Sequence, residues 1–223
     1  MLTDGLERVA IALPEAGARV DPAAWFGRPY GAWWLEVGFG GGEHLAWQAA
    51  RHPDVGIMGA EPFVNGVVSL LGHLRRDAIA NVRIHGDDAR DLIDALPDAV
   101  LARAFVLFPD PWPKTRHHKR RFVGGANLDR LARTLADGAE LRIATDDPPY
   151  LEWILFHALA HPAFRWLADG PQDWRERPDD WPPTRYEEKA AADGRRSWYL
   201  RFQRRPRTAG AAGNPLPRNG VPL

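Results

Sequence analysis

The chain has 223 residues, and its 29 lysines and arginines balance 29 aspartates and glutamates, so net charge names no partner and only its local distribution can. The length suits one α/β domain with appendages, and the absence of cysteine excludes disulfides, thiolate nucleophiles and cysteine-ligated metal. The opening residues have no apolar signal core and the longest apolar run is interrupted by Arg103, so a cytoplasmic protein without a membrane segment is expected.

Residues 1–30, punctuated by Pro14, Pro22 and Pro29, read as an irregular N-terminal segment. The chain then alternates. AWWLEVG reads as a buried strand and GGEHLAWQAARH as a helix. VGIMGAE is a second strand, FVNGVVSLLGHLRRDAI a second helix, NVRIHGD a third strand and ARDLIDAL a short helix. RAFVLFPD is a fourth strand, ANLDRLARTLA a helix, AELRIATD a fifth strand, PYLEWILFHALAH a helix and SWYLRFQR a last strand. Such alternation argues an α/β fold, a parallel sheet with helices on both faces. Residues 206–223, rich in Pro, Gly and Ala, read as a disordered tail.

Ligands of such sheets bind beyond the carboxyl ends of the strands, so the residues just after each strand carry the functional argument. EVGFGGG follows the first strand. Gly38 and Gly40 let backbone approach a ligand, but Glu43 stands where a G-x-G-x-x-G dinucleotide loop needs glycine. Glu36 two residues ahead suits an S-adenosyl-L-methionine site, with the carboxylate toward the cationic methionine end; the alternative is a plain structural turn. Glu61, after the second strand, is placed to accept both ribose hydroxyls. Asp87 or Asp88, after the third, can accept from an adenine amino group. Asp88 is preferred, although an Asp here can equally cap the next helix. Three acids after three successive strands point to a nucleoside cofactor.

FPDPWPKTRHHKRR follows the fourth strand. Its prolines fix φ and present Asp110 rigidly where a substrate would meet the cofactor. Lys114, Arg116, His117, His118, Lys119, Arg120 and Arg121 follow with no acid among them, a run that can attract phosphates, and Trp112 offers a surface for a base.

LEVGFGGGEHL, GAEPFVNGV, FPDPWPKTRHHKRRFV, RIATDDPPY and TRYEEKAAADGRRSWYLRF occur in this order. The chain thereby resembles bacterial tRNA (guanine-N7-)-methyltransferases over residues 31–205. The resemblance implies a Rossmann-like class I methyltransferase domain with a mostly parallel seven-stranded sheet. It implies S-adenosyl-L-methionine as methyl donor and tRNA as partner, with N7 of guanosine 46 in the variable loop as target. It makes Glu36, Gly38, Gly40, Glu61, Asp88 and Asp110 cofactor-binding, and Asp110 also catalytic. Lys114, Asp146, Thr184, Arg185, Tyr186 and Glu187 become substrate-binding, and residues 116–121 RNA-contacting. The family's usual Thr-Lys-Phe-Glu is Thr184-Arg185-Tyr186-Glu187 here, its Arg-Gly is Lys189-Ala190, and its Trp-Asp is Trp198-Tyr199.

Asp-Pro-Pro-Tyr at residues 147–150 matches a signature of amino-group methyltransferases, but there it follows the fourth strand and here the fifth. Pro148 and Pro149 suit the first turn of a helix. A second rival is an RNA-binding module on a relic fold, which the intact acid set argues against. No histidine falls at a metal-ligand spacing, and no metal is expected; a monomer or homodimer without an obligatory protein partner is.

Overall fold

The computed structural model describes residues 2–15 and 17–207. One sheet contains β1 (Ala32–Val37), β2 (Val55–Ala60), β3 (Val82–His85), β4 (Leu101–Leu107), β5 (Leu135–Thr145), β6 (Phe164–Trp166) and β7 (Trp198–Arg204). Their order is β3-β2-β1-β4-β5-β7-β6. β1 to β5 pair in parallel, and β7 runs antiparallel to both neighbours. The near-continuous apolar sequences of β1 and β2 follow from this placement, since a central parallel strand is covered on both faces.

Alternate residues of each strand feed two apolar layers. Leu35, Met58, Val106 and Ile143 pack on one face with Leu92 of α5 (Ala89–Ala95), Leu131 of α6 (Gly125–Thr134) and Ile154 of α7 (Pro148–Ala160). Trp34, Ile57 and Phe105 pack on the other with Leu45 of α3 (Glu43–Arg51) and Leu70 of α4 (Val64–Arg76). Strand order reverses between β1 and β4. That switch point opens a crevice at the carboxyl ends of those strands, where Glu36 and Asp110 lie.

The N-terminal segment is not irregular throughout. It holds α1 (Leu2–Val9) and α2 (Pro22–Phe26). Asp21 caps α2 by accepting from the Ala23 amide at 2.9 Å, and Gly27 closes it at φ 69°. Pro22 therefore starts a helix, a position where its missing N–H costs nothing. After α1, Ile11 donates to the Ile84 carbonyl at 2.8 Å, which covers part of the β3 edge.

Three further elements escaped the sequence pattern: β6, α8 (Gln172–Arg175) and α9 (Arg185–Ala192). Of the expected C-terminal tail, residues 206 and 207 are tied down. The Arg207 guanidinium donates to the carbonyls of Ala132, Arg133 and Leu135 and pairs with Asp137. The rest of the tail lies outside the described residues.

Candidate active site

The loop after β1 turns on left-handed glycines, Gly38 at φ 66° and Gly40 at φ 53°. A side chain is strained at either position. Behind the loop, Glu36 is only 2% exposed, and its Oε2 lies 2.6 Å from Nδ1 of His44. His44 Nε2 in turn meets Gln48 Nε2 at 3.1 Å, and Gln48 donates to the Asp180 carbonyl. His44, which had no role in the sequence reading, thus orients the acid of the glycine loop.

Glu61 is likewise buried. Its two oxygens accept from the amides of Gly40 at 2.8 Å and Phe63 at 3.0 Å. The carboxylate ties the end of β2 to the glycine loop, so its geometry is set by backbone. Asp88 caps α5, accepting from the Arg90 amide at 2.9 Å, and Asp87 accepts from the Asp88 amide. The cap foreseen as the competing role of Asp88 is therefore in place.

These groups suit an S-adenosyl-L-methionine ligand. A Cβ built on Gly38 meets nothing within 4 Å, so the loop has open space beside its backbone. Glu36 near the end of β1, and Glu61 and Asp88 past β2 and β3, are carboxylates of the kind that the cation, diol and amino group of such a ligand need. No side chain fills the space at Gly38.

On the other side of the switch point Asp110 is exposed. Its loop is stiff for a reason beyond its prolines: Phe108 and Trp112, on either side, adopt φ 49° and 43°. Such left-handed backbone in bulky residues costs on the order of 1–3 kcal/mol each and persists only where the surroundings enforce it. Arg121 enforces it. Its Nε donates to the Pro111 carbonyl at 2.7 Å, and its guanidinium lies 5.0 Å from the ring centroids of both Tyr150 and Trp153. Burial pushes the Tyr150 hydroxyl up to about 12, so it stays a neutral wall beneath the cation.

This corrects the expectation for Arg121. At 6% exposure it braces the Asp110 loop from inside and is turned away from solvent. The rest of the basic run forms a 3-10 helix (Thr115–Arg120). Lys114, Arg116, Lys119 and Arg120 are exposed and, among the described residues, have no ion-pair partner. His117 and His118 are half-buried against Trp112 and Trp153. The Trp112 ring is partly taken by Arg120, whose guanidinium lies 4.8 Å from its centroid.

The fourth motif comes from far along the chain and closes over the glycine loop. Thr184 caps α9, its hydroxyl accepting from the Glu187 amide at 3.2 Å. Arg185 pairs with Glu43 at 2.7 Å. The Tyr186 ring lies against Gly40, 2.9 Å from where a Cβ there would stand. Burial, then the carboxylates of Glu61, Asp110 and Glu43, raise the Tyr186 hydroxyl above its ordinary range.

Glu187 accepts from the Tyr199 hydroxyl at 2.5 Å and from Arg177 at 3.0 Å. Burial and this bond to Glu187 raise Tyr199, which keeps it a donor. Asp146 is paired with Arg195. Arg177, Arg195 and Tyr199 were missed from sequence. They reach their acids from other segments, and only Tyr199 was flagged, as a departure from the Trp-Asp pattern. Asp147, next to Asp146, caps α7 by accepting from Tyr150, with Pro148 and Pro149 opening that helix. The Asp-Pro-Pro-Tyr stretch is a helix start.

A sheet of this order, with acids at successive strand ends around a glycine loop, defines a class I methyltransferase. Residues 31–200 match the family described as "Putative methyltransferase". Solved structures of the same fold include a 16S rRNA (adenine(1408)-N(1))-methyltransferase from Catenulisporales acidiphilia, with TM-score 0.56 and 17% identity over 94% of this chain and 100% of that one. An rRNA methylase from Streptococcus thermophilus gives TM-score 0.54 and 11% identity over 78% and 87%.

Sequence relatives are much nearer. A tRNA (guanine-N(7)-)-methyltransferase of Rhodospirillum rubrum is 55% identical, covering 90% of this chain and 80% of the relative. One from Paramagnetospirillum magneticum is 50% identical over 93% and 87%. The chain belongs to the tRNA (guanine-N7-)-methyltransferase family.

Proposed function

We propose that this protein methylates N7 of guanosine in tRNA, at guanosine 46 of the variable loop, and that Asp110 is the residue that stabilises the reaction. Of the three carboxylates on the substrate side, Glu187 is held by Tyr199 and Arg177, and Asp146 by Arg195. Asp110 alone has no side-chain partner among the described residues and is exposed on a braced loop. That difference carries the assignment.

Bound S-adenosyl-L-methionine supplies an electrophilic methyl, and Glu36, Gly38, Gly40, Glu61 and Asp88 are the residues that would hold it. N7 of guanine carries an in-plane lone pair and no proton, so the chain has no proton to remove from the nucleophile. Its task is positioning, which can supply much of a rate enhancement. The purine becomes cationic as N7 is alkylated, and its N1–H and amino group become stronger donors. A carboxylate at that edge gains more in the transition state than in the ground state. Asp110 is an electrostatic anchor in this scheme and not a general base. Lys114 and the exposed cations of the 3-10 helix face the phosphates. The guanine must turn out of its stack to reach the crevice.

The test is purified protein with labelled S-adenosyl-L-methionine and unmodified tRNA, followed by digestion and identification of the nucleosides. The expected product is N7-methylguanosine, and it should vanish when guanosine 46 is replaced by adenosine. N6-methyladenosine, or tRNA binding with no methylated nucleoside, would overturn the reading.

A further inference from the structure

α7 is apolar on almost every side. A helix of that kind is ordinarily enclosed by protein. It buries Tyr150, Leu151, Ile154 and Ala158 against the sheet. The opposite side, however, leaves Phe156 72% and Leu159 57% exposed. Pro149, Glu152, Trp153 and Phe156 follow the spacing of one helical face. With His118 and Arg121 they line a cleft of about 500 Å³.

Two features say what covers this face. The 3-10 helix supplies His118 to the cleft, and the next residues along it, Lys119 and Arg120, are exposed; Glu152 is the acid among the lining residues. Exposed cations beside an open aromatic ring suit a nucleotide, which brings phosphate and a flat base together. The cleft also adjoins the crevice: Arg121, on its wall, is the residue that holds the Pro111 carbonyl of the Asp110 loop. Trp153 is fixed under Arg121 and donates to the Val123 carbonyl at 2.6 Å, so it forms a rigid wall. Phe156 is the ring left open to a ligand.

We infer that this cleft is a second nucleotide-binding subsite, which takes an unstacked nucleotide of the same RNA beside the methylated guanosine. Its base stacks on Phe156, with Glu152 available to accept from an amino or imino group on the base edge. Its phosphates meet Lys119 and Arg120. The inference rests on the tRNA reading above.

The test measures the affinity of fluorescently labelled, unmodified tRNA by anisotropy for the wild type, Phe156→Ala and Phe156→Tyr. One base stacked on an aromatic ring is worth about tenfold or more in affinity. Phe156→Ala should weaken tRNA binding by about that factor and leave the slope of affinity against salt unchanged. Phe156→Tyr should restore binding, and S-adenosyl-L-methionine affinity should be equal in all three proteins. Unchanged tRNA affinity in Phe156→Ala overturns the subsite, and so does a change in sedimentation without one, which would show a second copy of the chain covering the face. Nucleosides from the same samples separate the two readings. If the wild type makes N7-methylguanosine while Phe156→Ala binds tRNA normally, the subsite falls and the reaction stands. If Phe156→Ala loses binding but no protein makes N7-methylguanosine, the subsite stands and the reaction falls.

Discussion

The glycine-loop side of the crevice and the Asp110 side are held together by different interactions. On the first, Glu36 rests on His44 and Glu61 on two backbone amides, with the Glu36, His44 and Glu61 side chains buried. On the second, Asp110 stands in solvent on a strained loop braced from behind by a single buried arginine, and four exposed cations follow at and along the next 3-10 helix. A small cofactor can be met by a site organised in advance, because a buried polar group needs its partners at fixed distances. A large polyanion supplies its own countercharge, so the surface that meets it can leave cations unneutralised until it arrives.

That contrast can be broken most severely at Asp110. Asp110→Asn keeps the shape of the side chain and removes its charge. Single-turnover methylation should slow by roughly 100- to 1,000-fold. Normal turnover would shift the stabilising role to Glu187 or Asp146.

Arg121 tests whether bracing and RNA contact are separable. Arg121→Ala should lower turnover by more than about tenfold, because a misplaced acid loses the benefit of positioning. Arg121→Lys should not rescue it, since an ammonium cannot reproduce a guanidinium stacked between two rings. The slope of tRNA affinity against salt should match the wild type. A slope reduced by about one would place Arg121 on a phosphate after all.

A third measurement concerns the support beneath the α9 side. Arg142 is 2% exposed and links Glu140 with Asp180, which precedes Trp181 on the way to α9. Burial pushes Glu140 up, but Arg142 and Arg201 outweigh it and hold the carboxyl below its ordinary range. A folded-state pKa below the unfolded one stabilises the protein fully above the unfolded value, near 4.3. That contribution disappears as pH falls through the folded value. Glu140→Gln should cost roughly 2 kcal/mol at neutral pH. Its denaturation midpoints should also fall less steeply than the wild type's as pH drops below about 4.

The smallest effect belongs to a single exposed cation. Lys119→Ala should weaken tRNA binding modestly and reduce the salt slope by about one, with no effect on thermal stability. An unchanged slope would mean that Lys119 meets no phosphate.

The sheet and the acids at its strand ends were legible because their signal is local. AWWLEV, VGIMGA and LARAFVL are largely apolar runs that end in turns, and Glu36, Glu61 and Asp110 stand at or just past their respective ends. The N-terminal helices were not legible. Pro22 breaks a helix interior but starts a helix at its first position, and the prolines alone do not tell which. β6 has three residues, too few to show a period.

By itself, then, the sequence determined the α/β alternation, the glycine loop, the order of the acids and the presence of a cationic segment behind Asp110. Each is written in consecutive residues whose spacing matches a strand, a turn or a helix. Only the tertiary structure decided which cation of KTRHHKRR turns inward. Arg121 is chosen by Tyr150 and Trp153, which α7 brings beneath the loop from some thirty positions away. It likewise decided that Tyr199 would hold Glu187 and that Tyr186 would close on Gly40. Those pairings follow from the order in which strands lie side by side, and residues distant along the chain carry no local record of it.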